Sequence, residues 1–146
     1  MQVRFYQLAE DAKAPSPDIP AHWQLACQLC AEAYRQQQRI FILTANEQDA
    51  LTLDEWLWQF EPERFIPHNL PGEGPARGAP VEISWQPPRQ QRQLLINLSR
   101  EVPDFARRFA QVIEFVPVDE RLKAEARTRY KHYRQLGITP EMMSTS

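Results

Sequence analysis

Four consecutive large apolar residues, Ile40-Phe41-Ile42-Leu43, set the tightest limit on how this chain folds. In a strand, successive side chains point to opposite faces. A run without polar alternation therefore needs apolar cover on both sides, as in a parallel sheet between layers of helices. The surrounding pattern agrees. Short apolar runs at 3–8, 39–44, 65–67, 81–85, 94–98 and 112–116 read as strands. Helical spacing marks 21–37, where Leu25, Leu29, Ala33 and Tyr34 recur every three or four residues. It also marks a helix capped by Thr44 or Asn46 and reaching Phe60, a short one over 104–110, and a last one over 119–136 closed by Gly137. Alternation of this kind predicts an α/β fold: one domain over 1–146, with a mainly parallel sheet flanked by helices. The segments 81–85 and 94–98 have no helix between them, so a local hairpin or antiparallel excursion is expected there. The ending Glu141-Met142-Met143-Ser144-Thr145-Ser146 reads as a frayed tail beginning near residue 138.

Three of the four glycines, Gly72, Gly74 and Gly78, fall within seven residues, in a proline-rich run from Pro67 to Pro80. Glycine supplies positive φ or close approach, and the prolines stiffen the remainder. The loop lacks phosphate-loop and dinucleotide spacing and leads into a strand, not a helix. A nucleotide-binding or hydrolytic enzyme using Gly72 to Gly78 stays open as an alternative, with His68 and Glu73 or Glu82 as its acid-base groups. The plainer expectation is a rigid structural loop in which His68 and Asn69 hydrogen-bond nearby backbone. No nucleophile, phosphate-loop lysine or cluster of metal-binding acids is readable, so no catalytic residue, cofactor or metal is expected.

Charge is unevenly placed. Net charge is −2, yet residues 119–137 carry six cations against three acids, a balance of +3 that leaves −5 elsewhere. An acidic body with one basic helix suits a local anionic partner better than a long polyanion. A module that binds nucleic acid directly through that helix is the second alternative. Cys27 and Cys30 lie inside a helical pattern and read as small core residues; zinc would need further ligands, and His22 alone is a poor one. With no signal-peptide layout and no membrane-length apolar stretch, a cytoplasmic location is expected.

On the last helix, Leu122, Ala126, Tyr133 and Leu136 share a core stripe about 80° wide. Lys123, Arg127, Tyr130, Lys131 and Arg134 share the adjacent stripe of about 100°. A solvated face is one reading. Few acids interleave these cations, and a tyrosine sits among them. That suits a short acidic peptide with an apolar end and a terminal carboxylate. On the second helix Leu53, Leu57 and Phe60 share a face. Trp58 lies about 160° from Trp56, near Leu51. One tryptophan therefore packs on a neighbouring element, or Trp58 joins an exposed apolar patch with Phe65.

The run "PHNLPGEGPARGAPVEISW" resembles the signature stretch of the chi subunit of bacterial DNA polymerase III holoenzyme. So do "VRFYQL", "DEWLW", "RFIPHNL", "FARRFAQVIEFVP" and "LKAEARTRYKHYRQLG", in order and spacing over nearly the whole chain. The resemblance implies an α/β architecture like that of nucleotide-binding folds and a non-catalytic accessory role in the clamp-loader assembly. It implies two partners. The acidic, Phe-ended tail of single-stranded DNA-binding protein would meet Lys123, Arg127, Tyr130 and Lys131, with Val116 at the pocket floor. Arg134 joins them from helix geometry alone. The psi subunit would meet Trp58 and Phe65, a face that some members are thought to use for a helicase. DNA would be contacted only indirectly, and no membrane is involved.

Overall fold

The computed structural model describes residues 1–59, 66–71 and 79–145. The Ile40 run forms β2 (Ile40–Thr44), and all its residues are buried. The strands β1 (Gln2–Gln7), β2, β3 (His68–Asn69), β4 (Val81–Ser84), β5 (Leu94–Leu98), β6 (Gln111–Val116) and β7 (Glu141–Ser144) make one sheet, ordered β3-β4-β2-β5-β6-β1-β7. Every pairing is parallel. Helices α1 (Ala21–Arg35), α2 (Glu47–Gln59) and α3 (Glu120–Gln135) cover it, joined by a 3₁₀ turn over Ala106–Arg108.

Alternate β2 residues enter different cores, as the sequence demands. Ile40 and Ile42 meet Trp23, Ala26 and Cys30 of α1 and Leu53 and Leu57 of α2. Phe41 and Leu43 join Val3, Phe5, Ala106, Phe109 and Tyr133 on the other face. Cys27 and Cys30 are buried free thiols. Burial pushes the Cys27 thiol up to about 12 and that of Cys30 higher still. Both are therefore poor nucleophiles and act as packing groups.

Three expectations need correction. The segments at 81–85 and 94–98 form no hairpin: β4 and β5 pair in parallel with opposite edges of β2. The nine residues 85–93 are enough for this, because extended chain covers about 3.3 Å per residue. Gln93 Oε1 accepts from the Arg39 N–H at 2.7 Å, which pins the end of the crossover. Second, the helix expected at 104–110 shrinks to the single 3₁₀ turn. Third, the ending does not fray over Glu141–Ser144. Gly137 takes φ +83°, and the N–H of Ile138 donates to Tyr133 O at 3.0 Å, closing α3. The chain then reverses, and β7 pairs with Arg4 to Gln7 of β1. Arg4 Nε meets Glu141 Oε1 at 3.4 Å, and Thr145 Oγ1 donates to Gln7 O at 2.7 Å. No apolar periodicity in Glu141-Met142-Met143-Ser144 announces so short an edge strand.

Smaller shifts have local causes. Helix α1 stops at Arg35 because Gln37 adopts φ 63°, and the Gln38 N–H returns to Ala33 O. Asn46, not Thr44, caps α2: its Oδ1 accepts from the Asp49 N–H at 2.8 Å. The third strand falls on His68–Asn69, after Ile66 and Pro67, and position 65 lies outside the described residues.

Candidate functional site

Helix α3 is held to the sheet by polar bonds as well as by its apolar stripe. Asp119 caps it, accepting from the Leu122 N–H at 3.0 Å. Glu114, fully buried mid-strand in β6, accepts from Arg129 Nε at 2.8 Å, Asn97 Nδ2 at 2.7 Å and the Tyr133 hydroxyl at 2.7 Å. Arg129 also donates to the carbonyls of Arg100 and Phe115. One of the six cations counted on this helix is thus spent inside. The sequence carried the signal: an acid inside "VIEFV", and an arginine seven residues after Leu122 on the core stripe.

With that stripe fixed inward, the neighbouring one borders a cavity of about 260 Å³. Val116, Lys123, Arg127 and Tyr130 line it, so four of the six residues singled out on sequence come together. Phe5, Gln7, Ala126 and Met142 complete the wall. Phe5 meets the Tyr130 ring edge-on, with centroids 5.5 Å apart. Met142 is in register with Phe5 on the neighbouring strand. Sequence reading could not find Met142, because the strand presenting it was not legible. Lys123 Nζ lies 3.7 Å from the exposed carboxylate of Glu120. Lys131 and Arg134 are exposed farther along α3 and do not line the cavity. The result is an apolar floor with cations at its rim. An apolar cavity of about 150 Å³ already admits benzene, so one aromatic side chain is easily accommodated.

The second patch lies on α2. Trp58 is 50% exposed and Leu51, two turns earlier, is 43% exposed. Trp56 instead packs against the core, which separates the two tryptophans as their angular spacing requires. The Trp58 ring lies against His68, with centroids 4.3 Å apart. Phe65, the proposed companion of Trp58, lies outside the described residues, as do Gly72, Glu73, Gly74 and Gly78. Their flanks are described. Asn69 accepts from the Ala79 N–H at 2.6 Å and donates to Leu70 O at 2.7 Å, linking the two ends of the glycine run. His68 Nδ1 contacts Ile66 O at 2.8 Å, and Nε2 lies 3.2 Å from Asp54 Oδ1. Both residues use nearby backbone, as expected, and His68 additionally ties the strand to α2.

A further cleft opens at the carboxyl ends of β5 and β6, bordered by His22, Asp49, Arg100, Arg121 and Glu125. Burial, with the Arg129 charge behind it, lowers the His22 pKa to about 4, so the imidazole is neutral at pH 7. Among the described residues, no group of three or more His, Cys, Asp or Glu side chains is placed to hold a metal ion. Nor is any helix among them long and apolar enough to cross a membrane.

Comparison with known proteins matches residues 1–141 to the family described as "DNA polymerase III chi subunit, HolC". The chain is 44% identical over 137 residues to the DNA polymerase III subunit chi of Haemophilus influenzae, covering 92% of this chain and 91% of that one. It is 44% identical over 136 residues to the Escherichia coli protein of the same name, with the same coverage of 92% and 91%. The Pseudomonas aeruginosa protein of that name is 39% identical over 124 residues, covering 84% and 86%.

Proposed function

This chain belongs to the DNA polymerase III chi subunit family, and on that footing we propose that it is a cytoplasmic, non-catalytic replication subunit that bridges two partners. The cavity beside α3 takes the acidic, Phe-ended tail of single-stranded DNA-binding protein. The exposed α2 face around Trp58, with Phe65, docks psi and so joins the clamp loader. On this reading neither face touches DNA itself.

One observation carries the proposal: Lys123 and Arg127 rim a cavity floored by Phe5, Val116, Ala126 and Met142. A carboxylate-rich peptide ending in an aromatic residue needs both parts. The cations draw in and hold its acids, and the floor removes its last ring from water. Lys131 and Arg134 extend the same charge along α3 toward the peptide's earlier acids.

The test is a titration of full-length protein with the tail peptide, with and without its terminal Phe. Binding should collapse without the Phe, and Trp58→Ala should leave it unchanged. Equal binding of both peptides would remove the cavity from the mechanism. Direct oligonucleotide binding on α3 that Arg127→Ala abolishes would favour the nucleic-acid-module alternative.

A further inference from the structure

At the amino ends of the strands, three segments enter the sheet side by side, since Leu94 is in register with both Ile40 and Gln111. They read Arg35-Gln36-Gln37-Gln38-Arg39, Arg89-Gln90-Gln91-Arg92-Gln93 and Arg107-Arg108-Phe109-Ala110-Gln111. These fifteen residues hold six arginines, seven glutamines and no acid, on a chain whose net charge is −2. Hydrogen bonds stitch them together. Gln38 Nε2 donates to Gln111 Oε1 at 3.3 Å, and the Gln111 N–H donates to Gln93 O at 3.1 Å.

Arg92 stands at the centre and is only 3% exposed. Its Nη1 donates to the carbonyls of Ala79 at 2.8 Å and Pro80 at 2.9 Å, and lies 3.3 Å from Ile40 O. That anchors one end of the guanidinium. Its Nε and Nη2 are buried and have no hydrogen-bond partner among the described residues. Those two atoms form the side edge of the group, the two-donor fork that grips two oxygens of an oxyanion. Buried donors of this kind are costly and rare, so an unfilled pair points to a missing acceptor. Glu82 attracts Arg92 at longer range but forms no hydrogen bond with it. Arg92 also borders a cavity of about 250 Å³ with Arg39, Arg108, Gln91, Gln93 and Ala110.

We propose that this cavity is a phosphate-group site, with the Nε and Nη2 edge of Arg92 as its bidentate contact and Arg39 and Arg108 as flanking charge. A carboxylate is planar and is satisfied by one fork. A phosphate presents oxygens in several directions, which suits three arginines bordering one cavity with glutamines between them. The fork is shut off from water, so binding requires an exposed lining side chain to swing aside; Gln91 is such a residue. The phosphate comes either from a free ion or from the backbone of a nucleic-acid strand. Both present the same chemistry, and contacts of this type carry no base information. The site lies at the opposite end of the strands from the α3 cavity and does not depend on the peptide reading.

The test follows backbone amide signals of Arg39, Gln93 and Gln111 in the full-length protein by NMR. Sodium phosphate, sodium acetate and a short oligothymidylate are titrated at matched ionic strength. Phosphate should move these signals, and Arg92→Lys, which keeps the charge and loses the fork, should weaken it about tenfold. Arg108→Gln alters only an exposed side chain and should weaken binding about threefold, so it carries the test if Arg92→Lys does not fold. Displacement of phosphate by the oligonucleotide identifies a strand as the source. An inert oligonucleotide beside a binding phosphate identifies the free ion. Acetate acting as strongly as phosphate would overturn the phosphate assignment. Unmoved signals at all three amides, or equal affinity in wild type and both variants, would overturn the site itself. The α3 signals in the same spectra keep this outcome separate from that of the tail peptide.

Discussion

Arg129 on α3 donates its Nε–H to Glu114 Oε1 on β6 across 2.8 Å, with 9% of one side chain and none of the other exposed to solvent. The pair joins the helix that carries the cationic stripe to the centre of the sheet. It fixes which face of α3 looks inward and so where Lys123, Arg127 and Tyr130 stand. Removing one partner would strand the other charge without water, which typically costs about 3–5 kcal/mol. Arg129→Met should therefore lower stability toward urea by roughly that amount. Combining it with Glu114→Gln should recover most of the loss, because the neutral amide can still bond Asn97 and Tyr133. A double variant no more stable than the single one would mean that the pair contributes geometry and not charge balance.

The contrast between Ile40 and Met142 explains what the sequence disclosed. Ile40 opens a run whose apolarity alone demands two covered faces, and the structure supplies them. Strong local patterns such as this, and the Asp119 and Gly137 signals around α3, depend on near neighbours in sequence. Met142 sits in a strand defined only by its partner: Met142 faces Phe5, 137 positions away, on a short edge. Nothing local distinguishes such a strand from a tail. The crossover at 85–93 is equally hidden from local pattern, since its course depends on β2 lying between β4 and β5. At the site, helical spacing placed three lining residues, Lys123, Arg127 and Tyr130, on one face, and the family resemblance added Val116. The residues contributed by β1 and β7 depended on long-range pairing and were missed.

His22 should make stability depend on pH. Its folded pKa of about 4 lies below the ordinary 6.5, chiefly through burial and secondarily through Arg129. Between these values the unfolded chain binds the proton and the folded chain resists it. Stability is thus full above about pH 6.5 and declines as pH falls toward 4, by about 2–3 kcal/mol. Urea unfolding of wild type and His22→Gln at pH 7 and pH 4.5 isolates this contribution from that of other groups. The variant should lose less stability on acidification. A parallel decline in both proteins would rule out His22 as the source.

Trp58→Ala should separate docking from folding. The side chain is half exposed and touches the His68 ring, so its removal should cost about 1 kcal/mol of stability. If Trp58 anchors psi, affinity for psi should drop by about 2 kcal/mol or more. Melting temperature and psi binding measured on the same sample decide between the two roles. A stability loss of about 3–5 kcal/mol with unchanged psi affinity would mean a core role instead.

Met142 and Arg127 border one cavity but should fail differently. Arg127→Ala removes a charge-assisted contact to the peptide's carboxylates, worth about 1.5–3 kcal/mol. Because added salt screens that contact, the gap between wild type and variant should narrow as salt rises. Met142→Ala removes apolar floor and should cost about 1 kcal/mol with little dependence on salt. Its effect should also vanish for a tail peptide lacking the terminal Phe, since no ring then reaches the floor, whereas Arg127→Ala should still weaken that shorter peptide. Affinities of both variants for both peptides at two salt concentrations test this. If Met142→Ala proved salt-sensitive, or weakened both peptides equally, β7 would act by holding α3 in place and not by contacting the peptide's end.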